Sequence, residues 1–224
     1  MIAHGLMALL LAASPLQAAA PAKIDCAKVK CLALTFDDGP GRQTAELLDT
    51  LAKAKVKATF FLVGKQVEQR PELARRALRE GHELGNHTYS HLELTALADY
   101  QVSNELRAAQ QAIEEATGAA PKIFRPPYGK TDDRILALAG EAGLAQVTWT
   151  DTTLDWSLRD TEKIKKTVLK LSGRDDVILM HDTVPQTVKA VPGLIKELRK
   201  RGFHLVTVST LAGKGKLEPG QSYP

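Results

Sequence analysis

From residue 31 to residue 208, short runs of β-branched, aromatic and aliphatic residues alternate with longer segments of helical period, and this alternation limits the fold more than any other feature. The predicted strands cover 31–36, 58–63, 82–85, 123–125, 145–150, 177–180 and 203–208. Six helices separate them. The first, 45–55, gathers Leu47, Leu48 and Leu51 on one face. The second starts at Pro71, carries Leu73, Ala77 and Leu78, and stops at Gly81. The third, 97–117, spaces Val102, Leu106, Ala109, Ile113 and Ala116 by three and four before Gly118. A helix over 132–142 ends at Gly143, and Thr161 is expected to cap a helix bearing Ile164, Val168 and Leu171. The last, with Val188, Val191, Leu194, Ile195 and Leu198, stops at Gly202. Seven strands with six intervening helices imply a parallel sheet, either open or rolled into an incomplete βα barrel. Polar residues follow the strands in turn: Asp37 and Asp38, then His87 and His91, Arg125, Asp155 and His181. Convergence at the carboxyl ends of strands favours the barrel.

A chain of 224 residues suits one substantial domain, and 44% hydrophobic with 25% charged residues excludes a disordered or fibrous class. The net charge of +4 mildly favours anionic wall polymers or membrane surfaces, but the basic residues are dispersed along the sequence, and no nucleic-acid partner is expected. Residues 1–20 hold an apolar stretch over 6–13, then Pro15 and Ala18, Ala19 and Ala20, the pattern of a secretion signal. No Lys or Arg precedes that stretch and Pro21 follows the expected cut, so the cleavage position stays open. The stretch is short for a membrane span, and none is expected beyond the signal. Export leads to a disulfide between Cys26 and Cys31, the only cysteines. The expected organisation is a signal over 1–20, an N-terminal segment over 21–30, a catalytic domain over 31–212 and a loose tail over 213–224.

On a helix or tight turn, the four-residue spacing of His87 and His91 puts two imidazoles on one side of the backbone. A carboxylate from elsewhere would complete a three-ligand metal site with an open position, as in catalytic zinc centres and also in the facial triad of iron oxygenases. The adjacent Asp37 and Asp38, before Gly39-Pro40, either cap a turn or divide two tasks, one binding metal and the other free as a base.

Five motifs in order, Thr35-Phe36-Asp37-Asp38-Gly39-Pro40, His87-Thr88-Tyr89-Ser90-His91, Arg125-Pro126-Pro127-Tyr128-Gly129, Leu154-Asp155-Trp156 and Leu179-Met180-His181-Asp182, resemble the polysaccharide deacetylases of carbohydrate esterase family 4, the NodB-homology domain. The resemblance covers about residues 30–212 and implies a distorted, incomplete (β/α)7 barrel that removes N- or O-linked acetyl groups with one divalent metal. Zinc is the expected ion, with Co²⁺, Ni²⁺ or Mn²⁺ compatible with the same ligands. By correspondence, Asp38, His87 and His91 hold the metal and Asp37 is the base, oriented by Arg125. His181 is the acid, oriented by Asp155, while the Tyr128 backbone N–H meets the oxyanion, and Trp156 and Leu179 receive the acetyl methyl. One departure is Thr152, where the family's fourth motif commonly begins with Asp; here the acid stands one place earlier, at Asp151. His4, His82 and His204 match no catalytic position.

The expectation is an exported monomer, secreted, periplasmic or bound to the cell wall, that hydrolyses N-acetyl groups of N-acetylglucosamine-containing glycans, peptidoglycan or chitin oligomers. The rivals are an acetylxylan O-deacetylase and a non-catalytic glycan-binding module.

Overall fold

The computed structural model describes residues 24–213 and 215–224, so the expected secretion signal lies outside the described residues. At its centre runs β1 (Cys31–Gly39), longer than the six residues expected because Asp37 and Asp38 continue the strand. Its alternation divides the molecule. Leu32, Leu34 and Phe36 pack outward, against Leu47, Leu48 and Leu51 of α1 (Thr44–Ala54) and Val191, Leu194 and Leu198 of α8 (Pro185–Lys200). Cys31 and Ala33 face inward, with Phe61, Ile123, Val147, Val177 and Val206. By the same period of two, Thr35 and Asp37 point into the barrel.

The remaining elements follow the βα order. They are β2 (Thr59–Leu62), α2 (Gly64–Gln69), α3 (Pro71–Arg79), β3 (Glu83–Asn86), α4 (Asp99–Thr117), β4 (Ile123–Phe124), α5 (Asp133–Glu141) and β5 (Ala145–Val147). Then come β6 (Asp151–Thr152), α6 (Asp155–Leu158), α7 (Thr161–Leu171), β7 (Asp176–His181), β8 (His204–Val206), α9 (Val208–Ala212) and β9 (Ser222–Tyr223). All pairings are parallel, in the order β6-β7-β1-β2-β3-β4-β5-β9, with β8 against the first residues of β1. The sheet curls without its end strands β6 and β9 meeting, which makes the incomplete (β/α)7 barrel. Because Asp37 stands opposite His181 across β1 and β7, strand register alone brings the second of these charged side chains beside the first.

Several local expectations differ from the structure. The helix α2 was not expected, since its six residues bury only Gly64 and Val67 and give no apolar stripe. Asp160, not Thr161, caps α7: its side chain accepts from the Lys163 N–H, and Thr161 is the first helical residue. The fifth strand stops at Val147, and Asp151 and Thr152 form a separate strand paired with β7. Within the tail over 213–224, Tyr223 pairs with Val147 and packs beside the interior cluster, so apolar contact ties down a segment whose Gly and Pro content reads as a linker; ahead of it, Val208–Ala212 is a helix capped by Thr207. Cys26 and Cys31 meet with their sulfurs at bonding distance.

Candidate active site

The carboxyl ends of the strands open into a cavity of about 490 Å³ lined by residues that include Asp37, Asp38, His87, His91, Tyr128 and His181. Arg125, wholly buried just beyond β4, organises one wall. Its Nη1 donates to Asp37 Oδ1 at 2.8 Å and to Thr35 Oγ1 at 2.7 Å, while Nε and Nη2 donate to the carbonyls of Val147 and Thr148. Its guanidinium also lies over the Phe61 ring, 4.1 Å from the centroid. Burial lowers the Arg125 pKa against the opposing pull of Asp37, yet arginine keeps its charge by a wide margin. Asp37 is thereby fixed through one oxygen. Its other, Oδ2, lies 3.8 Å from His87 Nε2.

The two histidines sit on no helix. Of the two expected settings, a helix or a tight turn, the structure has a tight loop after β3, in which Thr88 and His91 take left-handed backbone angles of φ 63° and 59°. Asn86 builds this loop: its side-chain amide donates to the Leu106 carbonyl, and its oxygen accepts from the Thr88 N–H at 2.7 Å. The loop brings three ligand atoms of Asp38, His87 and His91 within 4.8 Å of one another. His87 Nδ1 lies 2.7 Å from the Arg125 carbonyl, so that nitrogen carries the proton and the bare Nε2 faces the site. Asp38 Oδ1 is 3.4 Å from His87 Nε2 and 3.2 Å from His91 Nε2, yet it is buried with no hydrogen-bond partner. Burial opposes the charge on Asp38, whereas protonated imidazoles at His87 and His91 would outweigh it and hold its carboxyl below the usual range. An orphaned carboxylate oxygen facing a bare imidazole nitrogen is what a divalent cation satisfies, and this donor set fits one.

His181 forms the opposite wall. Its Nδ1 lies 2.8 Å from Asp155 Oδ1, and Asp155 Oδ2 accepts from the His181 backbone N–H and from Thr187 Oγ1. Burial lowers the imidazole's pKa, but the Asp155 contact and the fields of Asp37 and Asp38 raise it overall to about 9. With Nδ1 engaged, Nε2 faces the cavity as a donor.

Tyr128 is 64% exposed, with φ 61°, and its ring meets His91 edge-on at 4.8 Å between centroids. The Tyr128 N–H has no partner among the described residues. Trp156, half exposed, and Leu179, buried, line the same cavity, as do Trp149, Thr152, Leu154 and Pro126. Among the described residues, Asp38, Thr88, His91, Tyr128 and Leu154 account for five of the eight non-glycine residues with positive φ. Strained backbone therefore gathers at this mouth.

All ten residues singled out in the sequence thus border this cavity or support its walls. Thr35, Asn86 and Asp182 were given no role, and Thr187 was not singled out. Asn86 and Asp182 adjoin singled-out histidines, but nothing in sequence links Thr187 to Asp155, 32 residues away. Asp182 is wholly buried beneath Gly39, takes a 2.5 Å hydrogen bond from Thr44 Oγ1, and is pushed by burial up to about 7.

Residues 25–147 match the family model for polysaccharide deacetylases. The chain is 38% identical over 195 residues to the peptidoglycan-N-acetylglucosamine deacetylase PgdA of Listeria monocytogenes, covering 87% of this chain and 41% of that protein. It therefore spans about two fifths of the length of that relative. A peptidoglycan-N-acetylglucosamine deacetylase of Bacillus cereus is 38% identical over 188 residues, covering 81% of this chain and 88% of the relative. Among solved structures, the T48 deacetylase with substrate superposes with a TM-score of 0.86 at 40% identity, over 90% of this chain and all of that one.

Proposed function

Since the chain belongs to the polysaccharide deacetylase family, we propose that it is a metal-dependent hydrolase that removes N-acetyl groups from N-acetylglucosamine-containing glycans, with peptidoglycan ahead of chitin oligomers. The observation that carries this reading is the orphaned Asp38 Oδ1 beside His87 and His91, between a fixed carboxylate, Asp37, and a charged imidazole, His181.

Asp38, His87 and His91 would hold the ion, zinc in our reading, which when bound supplies Lewis-acid polarisation of the acetyl carbonyl and lowers the pKa of water there. Asp37, oriented by Arg125, takes a proton at Oδ2 as water attacks the acetyl carbon. The new C–O bond forms while the carbonyl electrons move onto oxygen, where the Tyr128 N–H donates to the developing charge. As the carbon–nitrogen bond breaks, His181 Nε2 passes its proton to the departing nitrogen. Without that proton an amide anion would have to leave. Asp155 and Thr187 hold the imidazole in its donating orientation. Trp156 and Leu179 bound the space for the acetyl methyl.

We assign the protein to the extracytoplasmic space, acting as a monomer, where the Cys26–Cys31 bond persists. Among the described residues no helix is long and apolar enough to cross a membrane. The test is acetate release from peptidoglycan, chitin oligomers and acetylxylan, beside metal analysis. Release from the first two supports the reading. Release from xylan alone would overturn the N-deacetylase assignment, and glycan binding without release by the metal-loaded protein would favour a binding module.

A further inference from the structure

The end of the barrel opposite the cavity carries a basic face. Strand starts and helix ends meet there, and their contacts form one continuous surface. Arg199, on the last turn of α8, donates to the Ala54 carbonyl at the end of α1, and Arg201 donates to the Leu169 carbonyl of α7. Lys30 lies 3.8 Å over the Phe203 ring, and Arg174 donates to the carbonyls of Cys26 and Ala27. Two shallow clefts cross this floor, both bordered by the exposed Ile24, one with Arg174 and Lys216 and the other with Lys55 and Arg199; a third runs along α7 from Glu162 and reaches the floor at Lys170 and Arg201.

The floor's acids are largely spoken for. Asp25, Asp175 and Glu197 pair with Lys28, Arg174 and Lys200. Lys53, Lys55, Lys57, Lys170, Arg199 and Arg201, all exposed, make no ion pair among the described residues. Basic residues in last turns complement helix dipoles, which is the ordinary account of such charges. That account fails to explain their distribution. The last turns of α4 and α5 carry no basic residue, while those of α1, α3, α7 and α8 do. Most of these cations lie beneath β7, β1, β8 and β2, with Lys30 and Lys57 at strand starts; Lys57 also donates to the Glu80 carbonyl at the end of α3, and Lys122, exposed at the start of β4, lies outside this sector.

We propose that this floor docks on an anionic lipid surface and holds the catalytic mouth away from it. Three features select a bilayer surface over a linear polyanion. The charges are spread over the ends of several elements and two separate clefts, which suits a two-dimensional array of headgroups. They are mostly lysines, point charges without the bidentate geometry that reads a single phosphate. They also lie at the end opposite the cavity, so docking leaves the mouth open to a polymeric substrate. Ile24 adds an apolar contact among the cations. The proposal does not depend on the substrate or the chemistry at the mouth.

The experiment is co-sedimentation of the purified protein with vesicles of phosphatidylcholine alone or mixed with phosphatidylglycerol. Binding is expected only to the anionic vesicles and is lost as salt screens it. Each charge that reaches the surface contributes about fivefold to partitioning, so the variant Lys53→Gln, Lys55→Gln, Lys170→Gln is expected to bind on the order of 100-fold less. The control Lys65→Gln, Lys163→Gln, Lys189→Gln removes equal charge from helix starts near the mouth and leaves binding unchanged. Circular dichroism and acetate release from soluble oligosaccharide establish that both variants are folded. Equal loss in the two variants would show dependence on net charge alone and overturn the proposal. So would absence of vesicle binding, with or without binding to a soluble polyphosphate.

Discussion

The two ends of this barrel handle charge in opposite ways. At the mouth, Asp37, Arg125 and Asp155 are nearly or wholly buried, and their partners come from strands and loops far apart in sequence. On the floor the cations are exposed, and several make no ion pair among the described residues. A buried charge needs hydrogen-bonded neighbours because low dielectric magnifies both its attraction and its desolvation cost. An exposed lysine needs only water, and its neighbours contribute little. Loss of one partner is therefore felt through the whole mouth, whereas floor charges should be separable from fold and turnover.

The sharpest break in that contrast is Asp37→Asn, expected to lower turnover about 10³-fold while metal analysis still finds the ion. His87→Ala should instead lose the ion itself; the opposite pattern would reverse the assignment of base and ligand. Asp155→Asn should cost on the order of 10²-fold and move the alkaline limb of the pH profile. His181 is raised to about 9, so it is protonated below that pH and activity falls as pH rises through it. Without Asp155 the limb should appear at lower pH, and an unmoved limb would remove His181 as its source.

Packing beneath the mouth is tested by Gly39→Ala. The added methyl would stand 2.6 Å from Asp182 Oδ1 and 2.7 Å from its Cγ, and unfolding should show a loss of about 2 kcal/mol. Adding Asp182→Ala should recover part of that loss, since the two changes share one contact.

A smaller effect belongs to His82, buried at the start of β3, whose Nδ1 accepts from the Ala58 N–H. Burial, helped by Lys57, lowers its pKa to about 4. The unfolded chain binds this proton first, so the contribution is present above about 6.5 and fades as pH falls towards 4. Thermal unfolding should lose on the order of 2 kcal/mol across that window, and less in His82→Gln. Smallest of all, neutralising Lys53, Lys55 and Lys170 should leave stability within about 0.5 kcal/mol and turnover on soluble substrate unchanged.

Much of this was legible along the chain. The alternation of strands and helices implied a parallel sheet, because apolar period is a local property, and the polar residues after successive strands favoured the barrel over an open sheet. The motif residues marked the mouth, since a strand's carboxyl end is also a position in sequence. The shape of the His87 loop was only half legible: four-residue spacing suits a helix or a tight turn, and the choice was made by Asn86, which bonds across to Leu106 and to the Thr88 N–H within a loop of left-handed residues. The tail was not legible, since its Gly and Pro hide the packing of Tyr223.

By itself, then, the sequence determined which elements form, and in what order their reactive ends arrive. Only the tertiary structure decided that Thr187 supports Asp155, that Asp182 fills the space Gly39 leaves, and that lysines dispersed along the chain share one floor. The reason is distance. Periodicity and capping act within a few residues, whereas hydrogen bonds between buried groups and the sum of surface charges depend on which distant segments the closing sheet brings together.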